Sequence, residues 1–450
     1  MNIKESFFTP SLGGRWREAF SLIAADKLFS AIYIAGTAVA IASAMVAVIV
    51  LNIKMSDIKP EVNRSRTLYP HIEYHSDNHN GSLFYIFSTI AIDSCFSKMK
   101  CVELVTGNHE GQQAIYNESY SEHINVVTKM CDPNFFRLYS FTFVEGRPFS
   151  EKEFRNGEHV CVITEDLAKR LYYKEKGGTF RMNNNTYRVV GVVKTVCSLM
   201  IASTADIYYP HTSAENFWVE QFNGKGGPLP TVSYCGDLSV EILLRKGYTR
   251  QDFIEEIEPI WKHYISQIRT QTGEEIDCKL LVNNHFLQQM NVWTDTPEEI
   301  IKAALYIPLT LMILIFLFLP AINLSGLVSN RMEARLPEMG IRKAFGAKRF
   351  TLLREVINEN LVLTLCGGAV GWVLSWFFVN AFRNNEVFLT VLFNGSKPNP
   401  NAGMEFSMFF TPKLFLICFV CCAVLNLMAA LIPAWRSLGK PIVESLSQKK

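Results

Sequence analysis

The chain lacks the features that define several large classes of protein. Its 44 basic and 42 acidic side chains leave a formal net charge of only +2, which provides no basic field for nucleic acid. A mean hydropathy of +0.12, with 32 phenylalanines and only 18 prolines, is too apolar for a disordered chain. Nucleic-acid binding and intrinsic disorder are therefore excluded.

The chain also lacks the short motifs of common catalytic and nucleotide-binding sites. It has no G-x-x-x-x-G-K-[ST] phosphate loop, because Gly224-Lys225 is followed by glycine and Gly346–Arg349 has neither the spacing nor the hydroxyl. Neither the G-x-S-x-G nucleophile motif nor H-E-x-x-H occurs. The sequence therefore predicts no catalytic residue, and any ATP that is used must be bound by another chain.

Patterns typical of metal sites are weak. Cys418 and Cys421 form a C-x-x-C pair inside an apolar run, but no second pair accompanies them, which favours small packing residues. His71, His75 and His79 recur every four residues, as on one face of a helix, yet turn-forming residues surround His79. We expect no metal site, and the role of the three histidines stays open.

Cysteine usage leaves the redox state open. Seven of the 11 cysteines lie between the first two apolar runs, so at least one of these must be a free thiol. Cys95 and Cys101 could form a disulfide in an oxidising compartment. The sequence does not decide whether they do.

What the chain does contain is four long runs without a charged side chain. They cover residues 28–53, 303–330, 360–382 and 414–435. Each exceeds the roughly 20 helical residues needed to cross about 30 Å of hydrocarbon. Helices in soluble cores are seldom apolar on every face for so long. Four transmembrane helices are predicted; the alternatives are buried helices of a soluble protein and, for the first run, a cleaved signal peptide.

The distribution of Lys and Arg predicts the orientation in the membrane. The loop between the second and third runs is far more basic than the loop between the third and fourth, so the positive-inside rule places it in the cytoplasm. Both termini are then cytoplasmic, and the long segment between the first two runs is outside. Its strand-like runs are residues 122–128, 159–164, 179–182, 187–193, 239–244 and 279–282, and its helical patterns are residues 83–99 and 249–269.

The expected fold is an α-helical membrane protein with four transmembrane helices and an α+β extracytoplasmic domain inserted between the first and second spans. Because no charged side chain lies in the spans, a hydrophilic path between them is not expected. The predicted segments are a cytoplasmic amphipathic segment (1–27), span 1 (28–53), the extracytoplasmic domain (54–296), a stalk with span 2 (297–330), a cytoplasmic loop (331–359), span 3 (360–382), a short outer loop (383–413), span 4 (414–435) and a cytoplasmic tail (436–450).

Two of the spans carry small residues at helical spacing, which lets another helix approach closely. These residues are Gly36, Ala40, Ala44 and Ala47 in the first span and Gly367 and Gly371 in the third. Packing within one subunit and dimerisation both explain such stripes, and the sequence leaves both open.

The second span has an unusual start. Thr296 fits an N-cap, Pro297 fits the first helical position and Glu299 completes a capping box. The helix is therefore expected to begin outside the membrane and to run into the span. We interpret it as a mechanical stalk that carries displacement between distant sites.

Three groups of residues resemble the FtsX-like permease family of ABC transporter subunits. The segment Glu338–Ala347, EMGIRKAFGA, is similar to the family signature E-[IM]-G-[IV]-[RL]-[KR]-A-[ILF]-G-A, and Pro433–Leu446 is similar to the closing P-A-x-R … P-x-x-[AS]-L pattern. Residues 135–149, 160–171 and 187–193 resemble the periplasmic core domain of MacB-type members.

The resemblance implies a type VII ABC permease that acts as a homodimer, or with a related half-permease, on a separate cytoplasmic ATPase. That ATPase would use ATP and Mg²⁺, and this chain would bind no cofactor. The docking element, or coupling helix, would consist of Glu338, Gly340, Ile341, Arg342, Lys343, Ala344, Gly346 and Ala347. Pro337 stands where the family commonly has a charged residue, which puts the start of this helix in doubt.

The expected function is mechanotransmission, in which ATP binding and hydrolysis in the partner move the periplasmic domain. Export or efflux of a peptide, drug or lipoprotein-like substrate across the bacterial inner membrane would follow. Membrane lipid is a further expected partner, a periplasmic adaptor stays open, and nucleic acid is not expected. The alternative is a membrane-anchored sensor or ligand-binding receptor.

Overall fold

The computed structural model describes residues 27–75, 82–116, 123–171, 178–197, 200–213, 235–236, 238–272, 277–290, 297–382, 412–439 and 441. The chain divides into two compact units. The described residues of the helical unit lie within 27–50, 302–382 and 412–441, and those of the sheet unit lie within 51–301. The predicted cytoplasmic segment before residue 27 and nearly all of the predicted outer loop 383–413 lie outside the described residues.

The described residues of the sheet unit form a 12-stranded sheet. Its strands are β1 (Thr67–His75), β2 (Ser82–Phe87), β3 (Val102–Tyr116), β4 (His123–Cys131), β5 (Phe143–Gly146), β6 (Val160–Thr164), β7 (Thr179–Met182), β8 (Asn185–Val193), β9 (Ile207–Pro210), β10 (Cys235–Gly236), β11 (Ser239–Leu244) and β12 (Asp277–Asn284).

The helices of the described residues are distributed over both units. They are α1 (Lys27–Met55), α2 (Thr89–Ala91), α3 (Phe135–Leu138), α4 (Glu151–Arg155), α5 (Glu165–Arg170), α6 (Arg250–Thr272), α7 (His285–Gln289), α8 (Glu298–Ala334), α9 (Leu336–Ala344), α10 (Arg349–Phe382) and α11 (Pro412–Gly439). Helix α1 continues from the helical unit into the first residues of the sheet unit, and α8 begins in the sheet unit.

The order of the strands confirms an α+β domain. The main path of the sheet is β10-β2-β1-β11-β3-β4-β9-β6-β8-β5, with β12 paired to β1 and β7 paired to β3 and β8. Strands β11 and β12 both run antiparallel to β1 and are joined by α6, so they form a βαβ unit with β1 between its strands. The predicted strand–helix–strand pattern in this part of the chain is confirmed.

A tight hairpin joins β7 and β8, as the run of asparagines predicts. Asn183 and Asn184 both have positive φ, 50° and 65°, and Met182 pairs directly with Asn185. Asparagine tolerates this left-handed backbone because its short polar side chain can bond locally. Two such residues in succession match the right-handed twist of the flanking strands, which stabilises the hairpin.

The predicted helix over residues 83–99 is wrong in its first part. Residues Ser82–Phe87 form β2, and helical backbone covers only α2 and the following π-helical turn Ile92–Phe96. A strand forms here because Phe84 and Tyr85 pair with Glu73 and Ile72 of β1, respectively. Such pairing depends on a distant segment, and short apolar runs do not distinguish a strand from a helix.

The main core of the sheet unit lies under α6. Phe253, Ile257, Trp261 and Ile265 recur every four residues, so they share one face of the helix and are all buried. They pack on strand residues such as Ile242. Burying each such side chain stabilises the fold by about 1.5–3 kcal/mol relative to exposure.

Among the residues that the structure describes, the helical unit has three helices that are long and apolar enough to cross a membrane: Lys27–Met55, Arg349–Phe378 and Phe415–Gly439. They coincide with predicted spans 1, 3 and 4. The second predicted span lies within α8, a continuous 37-residue helix. The count of four spans and the segment boundaries stay predictions.

Candidate functional site

Helix α9 contains most of the predicted docking element. It begins at Leu336 with Pro337 in its first turn, where the missing N–H of proline has no helical partner to lose. Gly346 ends it with φ +91°. The N–H of Gly346 donates to Lys343 O at 2.9 Å and the N–H of Ala347 donates to Arg342 O at 3.0 Å, which is a Schellman motif.

One face of α9 packs into the helical unit. Leu336, Met339 and Gly340 are buried. Met339 belongs to an apolar cluster with Leu353 of α10 and Leu438 of α11. This packing holds α9 in one orientation against α10 and α11.

The opposite side of the loop exposes large apolar side chains. Phe345 is 83% exposed, Phe350 72% and Ile341 50%. Ile341 and Phe345 are four residues apart, which places them near one another at the end of α9. Large apolar side chains that are exposed together are typical of interaction sites. We call Ile341, Phe345 and Phe350 the exposed apolar patch.

The charged residues of the predicted docking element form ion pairs or hydrogen bonds but remain accessible to solvent. Arg342 donates to Glu338 at 2.7 Å and to Glu355 of α10 at 2.8 Å, and all three side chains are about half exposed. Lys343 Nζ donates to the carbonyl oxygen of Leu438 at 2.8 Å. Of the other predicted docking residues, Ala344 and Gly346 are exposed, Ala347 is half-buried and Gly340 is buried.

A buried carboxylate lies near the loop. Glu359 of α10 is 4% exposed, pairs with Arg335 at 3.0 Å and forms a second ion pair with Arg331. The guanidinium of Arg331 also lies over the ring of Phe29, 4.3 Å from its centroid. These contacts join α8, α10 and the start of α1.

The glycines of α10 lie against α1. A Cβ at Gly367 would be 2.7 Å from Thr37 Cβ, and one at Gly371 would be 2.7 Å from the carbonyl oxygen of Ala38. Only glycine allows this approach. On α1, Ala40 and Ala44 are buried, and Gly36 and Ala47 are half-buried. Dimerisation through this stripe stays a prediction.

The predicted stalk residues lie at the start of α8. Pro297 directly precedes the helix, and its carbonyl oxygen accepts from the N–H of Ile300 at 3.0 Å. Glu299 is in the first turn and is exposed. Thr296, the predicted N-cap, lies outside the described residues.

A buried polar cluster holds the end of α1 within the sheet unit. Arg64 Nη1 donates to the carbonyl oxygens of Ile53 and Ser56 at 2.6 and 2.5 Å, and Arg64 Nε donates to Glu61 at 2.7 Å. The second oxygen of Glu61 accepts from Ser203 Oγ at 2.6 Å. Carbonyl groups at a helix end have no helical partner, and a cation there also complements the helix dipole.

Helix α7 contributes a histidine to the same cluster. His285 Nε2 lies 2.7 Å from Lys54 O, and its Nδ1 lies 3.2 Å from Tyr69 Oη. Because a carbonyl only accepts, Nε2 carries the proton and Nδ1 accepts from the tyrosine hydroxyl. Burial lowers the pKa of His285 and so favours this neutral ring. We call Glu61, Arg64, Tyr69, Ser203 and His285 the junction cluster.

The Glu61 carboxyl is ionised in this setting. Burial alone would raise its pKa, but the charge of Arg64 and the hydrogen bond from Ser203 lower the pKa below the usual value. The junction cluster therefore contains a buried ion pair at the end of the first predicted span.

Two family models match the chain. The model of the MacB-like periplasmic core domain matches residues 30–260, a little over half of the 450 residues, and that of the FtsX-like permease C-terminal region matches residues 310–442. The chain belongs to the FtsX-like permease family. It is an ABC transporter permease of the MacB and FtsX type, a membrane protein with an extracytoplasmic domain.

The chain is similar to two kinds of curated relative. The uncharacterized ABC transporter permease YknZ of Bacillus subtilis is 22% identical over 362 residues, 79% of this chain and 83% of YknZ. The macrolide export ATP-binding/permease protein MacB of Pasteurella multocida is 24% identical over 317 residues, 70% of this chain. The permease spans only 42% of the length of that MacB protein.

Solved structures also match part of the chain. A domain of a putative permease from Porphyromonas gingivalis matches at 16% identity with a TM-score of 0.38, covering 49% of this chain and 90% of that domain. The periplasmic region of MacB from Actinobacillus actinomycetemcomitans matches at 14% identity with a TM-score of 0.35, covering 52% and 95%.

The histidines and cysteines singled out in the sequence have structural environments of their own. His71 and His75 lie in β1 rather than on a helix, and His71 Nε2 is 2.8 Å from Gln288 Oε1. Cys95 and Cys101 are buried free thiols. His79 lies outside the described residues. Among the residues that the structure describes, no three His, Cys, Asp or Glu side chains form a metal-binding group.

Sequence reasoning missed the junction cluster and part of the exposed apolar patch. Residues 61, 64, 203 and 285 match no motif, so no local signal could identify them. Phe350 is exposed, whereas Leu353, three residues later on the same helix, is buried. The spacing of Ile341 and Phe345 on one helical face was the available signal for the apolar patch.

Proposed function

We propose that this permease couples ATP binding and hydrolysis by a separate cytoplasmic ATPase to motion of its extracytoplasmic domain. The cargo would be a peptide, a drug or a lipoprotein-like molecule exported across the bacterial inner membrane. The permease would act as a homodimer or with a related half-permease. The single observation that carries the proposal is the two-sided environment of α9, with one face packed and the other exposing large apolar side chains.

The packed face makes α9 suitable for transmitting a displacement. Because Met339 lies in one cluster with residues of α10 and α11, a push on α9 also acts on both of those helices. Lys343 adds a polar contact to the end of α11. An ATPase that moves α9 would therefore move the membrane helices with it.

The exposed face makes α9 suitable for docking. Aromatic side chains supply much of the affinity in protein interfaces, and arginine is also enriched there. The exposed apolar patch combines two phenylalanines with the neighbouring guanidinium of Arg342. Membership of this family implies work with a cytoplasmic ATPase, and the chain has no phosphate loop of its own.

The outer end of the proposed path is the junction cluster. Arg64 and His285 bind the last carbonyl groups of α1, and His285 starts the short helix that precedes the stalk in sequence. The end of α1 and the start of α7 therefore meet in one buried cluster. This arrangement supports transfer of helix motion into the extracytoplasmic domain.

The docking proposal is tested with Phe345→Asp in the tagged, full-length permease. Phe345 makes few contacts within the chain, so the variant should fold, but a charge in a docked interface should weaken ATPase binding about tenfold or more. Recovery of the ATPase that co-purifies from solubilised membranes measures this. Val144→Asp is the matched control, because Val144 is 55% exposed in the extracytoplasmic domain.

A second measurement on the same variants tests the motion. Limited proteolysis of the extracytoplasmic domain should change when ATP and vanadate are added to the wild-type complex and to Val144→Asp. The change should be lost in Phe345→Asp. Equal ATPase recovery with Phe345→Asp and wild type, or a native wild-type assembly without any ATPase, would contradict the proposal.

A further inference from the structure

A strongly basic cavity opens in the sheet unit where β3 begins and β11 ends. Its volume is about 780 Å³. Five cationic side chains line it: Lys98, Lys100, Arg137, Arg245 and Lys246. They come from three separate parts of the chain, namely the turn before β3, helix α3 and the turn after β11. We call this feature the basic cavity.

Positive side chains outnumber negative ones around the basic cavity. Its one acidic lining residue, Glu103, pairs with Arg66 at 2.9 Å. The nearby Glu256 accepts the backbone N–H groups of Lys100 and Cys101 at 2.6 and 3.1 Å. In the described part of the chain, none of the five cations forms an ion pair with a carboxylate. The whole chain carries only +2, so this is a local excess of charge.

Two of the cations are held in place by the fold. Arg245 Nε donates to Val102 O at 2.9 Å. Arg137 Nη1 donates to Asn134, whose side-chain amide in turn donates to Val105 O at 3.0 Å. Guanidinium groups fixed in this way match the geometry of phosphate oxygens, and the flexible lysines add attraction. The chemistry of the basic cavity therefore suits a phosphate-bearing anion.

The basic cavity lies at the edge of the sheet where the chain arrives from the first span. Arg64 contacts the last turn of α1, and Arg66, whose Cα is at most about 7 Å away, contacts both Glu103 and the carbonyl oxygen of Leu244. The cavity is thus beside Arg66, which belongs to the segment that follows α1. Tyr248 lines it and is exposed, and tyrosine is enriched at membrane interfaces.

We propose that the basic cavity binds the phosphate of an anionic phospholipid headgroup in the leaflet that faces the extracytoplasmic domain. A soluble phosphate ester has the same chemistry, but the position beside the end of α1 favours a headgroup. The proposal does not depend on coupling to an ATPase. It assigns a lipid-binding role to the domain itself.

The test uses the full-length permease in detergent, titrated with phosphatidylglycerol or with phosphatidylcholine and examined by native mass spectrometry. The variant Lys98→Gln/Arg137→Gln/Lys246→Gln removes three charges of the cavity. The matched control Lys152→Gln/Lys262→Gln/Arg170→Gln removes three exposed charges elsewhere in the sheet unit. The cavity variant should bind phosphatidylglycerol about tenfold more weakly than wild type and the control. Phosphatidylcholine, whose net charge is zero, should bind wild type and both variants alike.

Two results would overturn the proposal. The first is an equal loss of phosphatidylglycerol binding in the cavity variant and in the control. This result would show that the net charge alone attracts the lipid. The second comes from a parallel titration with glycerol 3-phosphate: if it binds wild type as tightly as phosphatidylglycerol does, and with the same dependence on the variants, the ligand is a soluble anion. A loss of binding that occurs only in the cavity variant, and only for phosphatidylglycerol, would support the headgroup site.

Discussion

The two arginine clusters of the permease, one at each end of the proposed path, use the same chemistry in opposite surroundings. At the junction cluster the side chains of Arg64 and Glu61 expose 2% and 0% of their surface. At α9 the side chains of Arg342, Glu338 and Glu355 are 47%, 53% and 47% exposed. The two clusters both pair arginine with glutamate, and they differ in how far these side chains are buried.

The difference determines what each cluster is able to do. A buried ion pair that loses one partner leaves an uncompensated charge in the protein interior, which is strongly destabilising, so the junction cluster has one arrangement. A solvated pair is replaced by water at little cost. The pairs of Arg342 can therefore open for a partner protein, whereas those of Arg64 keep α1 attached to the extracytoplasmic domain.

The largest effect is expected for Arg64→Leu. This change leaves Glu61 buried without its cation and the carbonyl oxygens of Ile53 and Ser56 without a donor. The extracytoplasmic domain should lose about 3–5 kcal/mol of stability. The urea midpoint of the full-length protein in detergent, followed by pulse proteolysis of this domain, measures the loss.

The control for this prediction is Arg342→Leu. Its ion pairs are solvated, so the cost should stay below about 1 kcal/mol. A similar loss of stability in both variants would break the comparison, because burial would then not be what separates the two clusters.

A smaller loss of stability is expected for Glu359→Gln. This variant tests whether the burial of an ion pair or its location in the molecule decides how much the pair contributes to stability. Glu359 lies in the helical unit but is buried between Arg331 and Arg335. Removing its charge should cost about 1–3 kcal/mol, seen as a lower temperature at which half of the protein leaves the monodisperse peak in size exclusion. Glu355→Gln, on the same helix but exposed, should have a much smaller effect. Equal behaviour would show that the helical unit tolerates either change.

The smallest effect is a pH dependence that comes from His285. Burial lowers the pKa of this histidine below its ordinary value of 6.5, so the unfolded chain takes up a proton before the folded chain does. As the pH falls through about 6.5, the stability contributed by the neutral ring is lost, at no more than about 1.4 kcal/mol per pH unit.

Urea midpoints between pH 8 and pH 5.5 test this dependence. The difference between wild type and His285→Gln should shrink as the pH falls. The exposed His263→Gln should follow wild type throughout. A pH-independent difference for His285→Gln would mean that the histidine is not kept neutral in the junction cluster.

The loop around α9 shows how far the sequence could predict a site. The signature Glu338–Ala347 and the closing Gly346 predicted a short helix, and the structure has one at Leu336–Ala344. A residue with positive φ at a helix end is usually glycine, so the local sequence indicates such a helix boundary. The spacing of Ile341 and Phe345 places them on one face of α9, but whether that face is exposed depends on how α9 lies against α10 and α11.

The strands show the same limit of prediction from the sequence. The Asn183-Asn184 hairpin followed from turn chemistry alone. Strand β2 did not, because its pairing with β1 decides its structure and short apolar runs suit helices as well.

The sequence by itself determined the local features of this protein. These are the long apolar runs, the turn and helix-end residues and the loop signature, and each depends on the physics of a single segment. Only the tertiary structure decided that Glu61, Arg64, Ser203 and His285 meet at the end of α1, and that five cations surround one cavity. Such sites join residues far apart in the chain. The clustering of these residues, and the burial of the junction cluster, exist only once the segments have folded together.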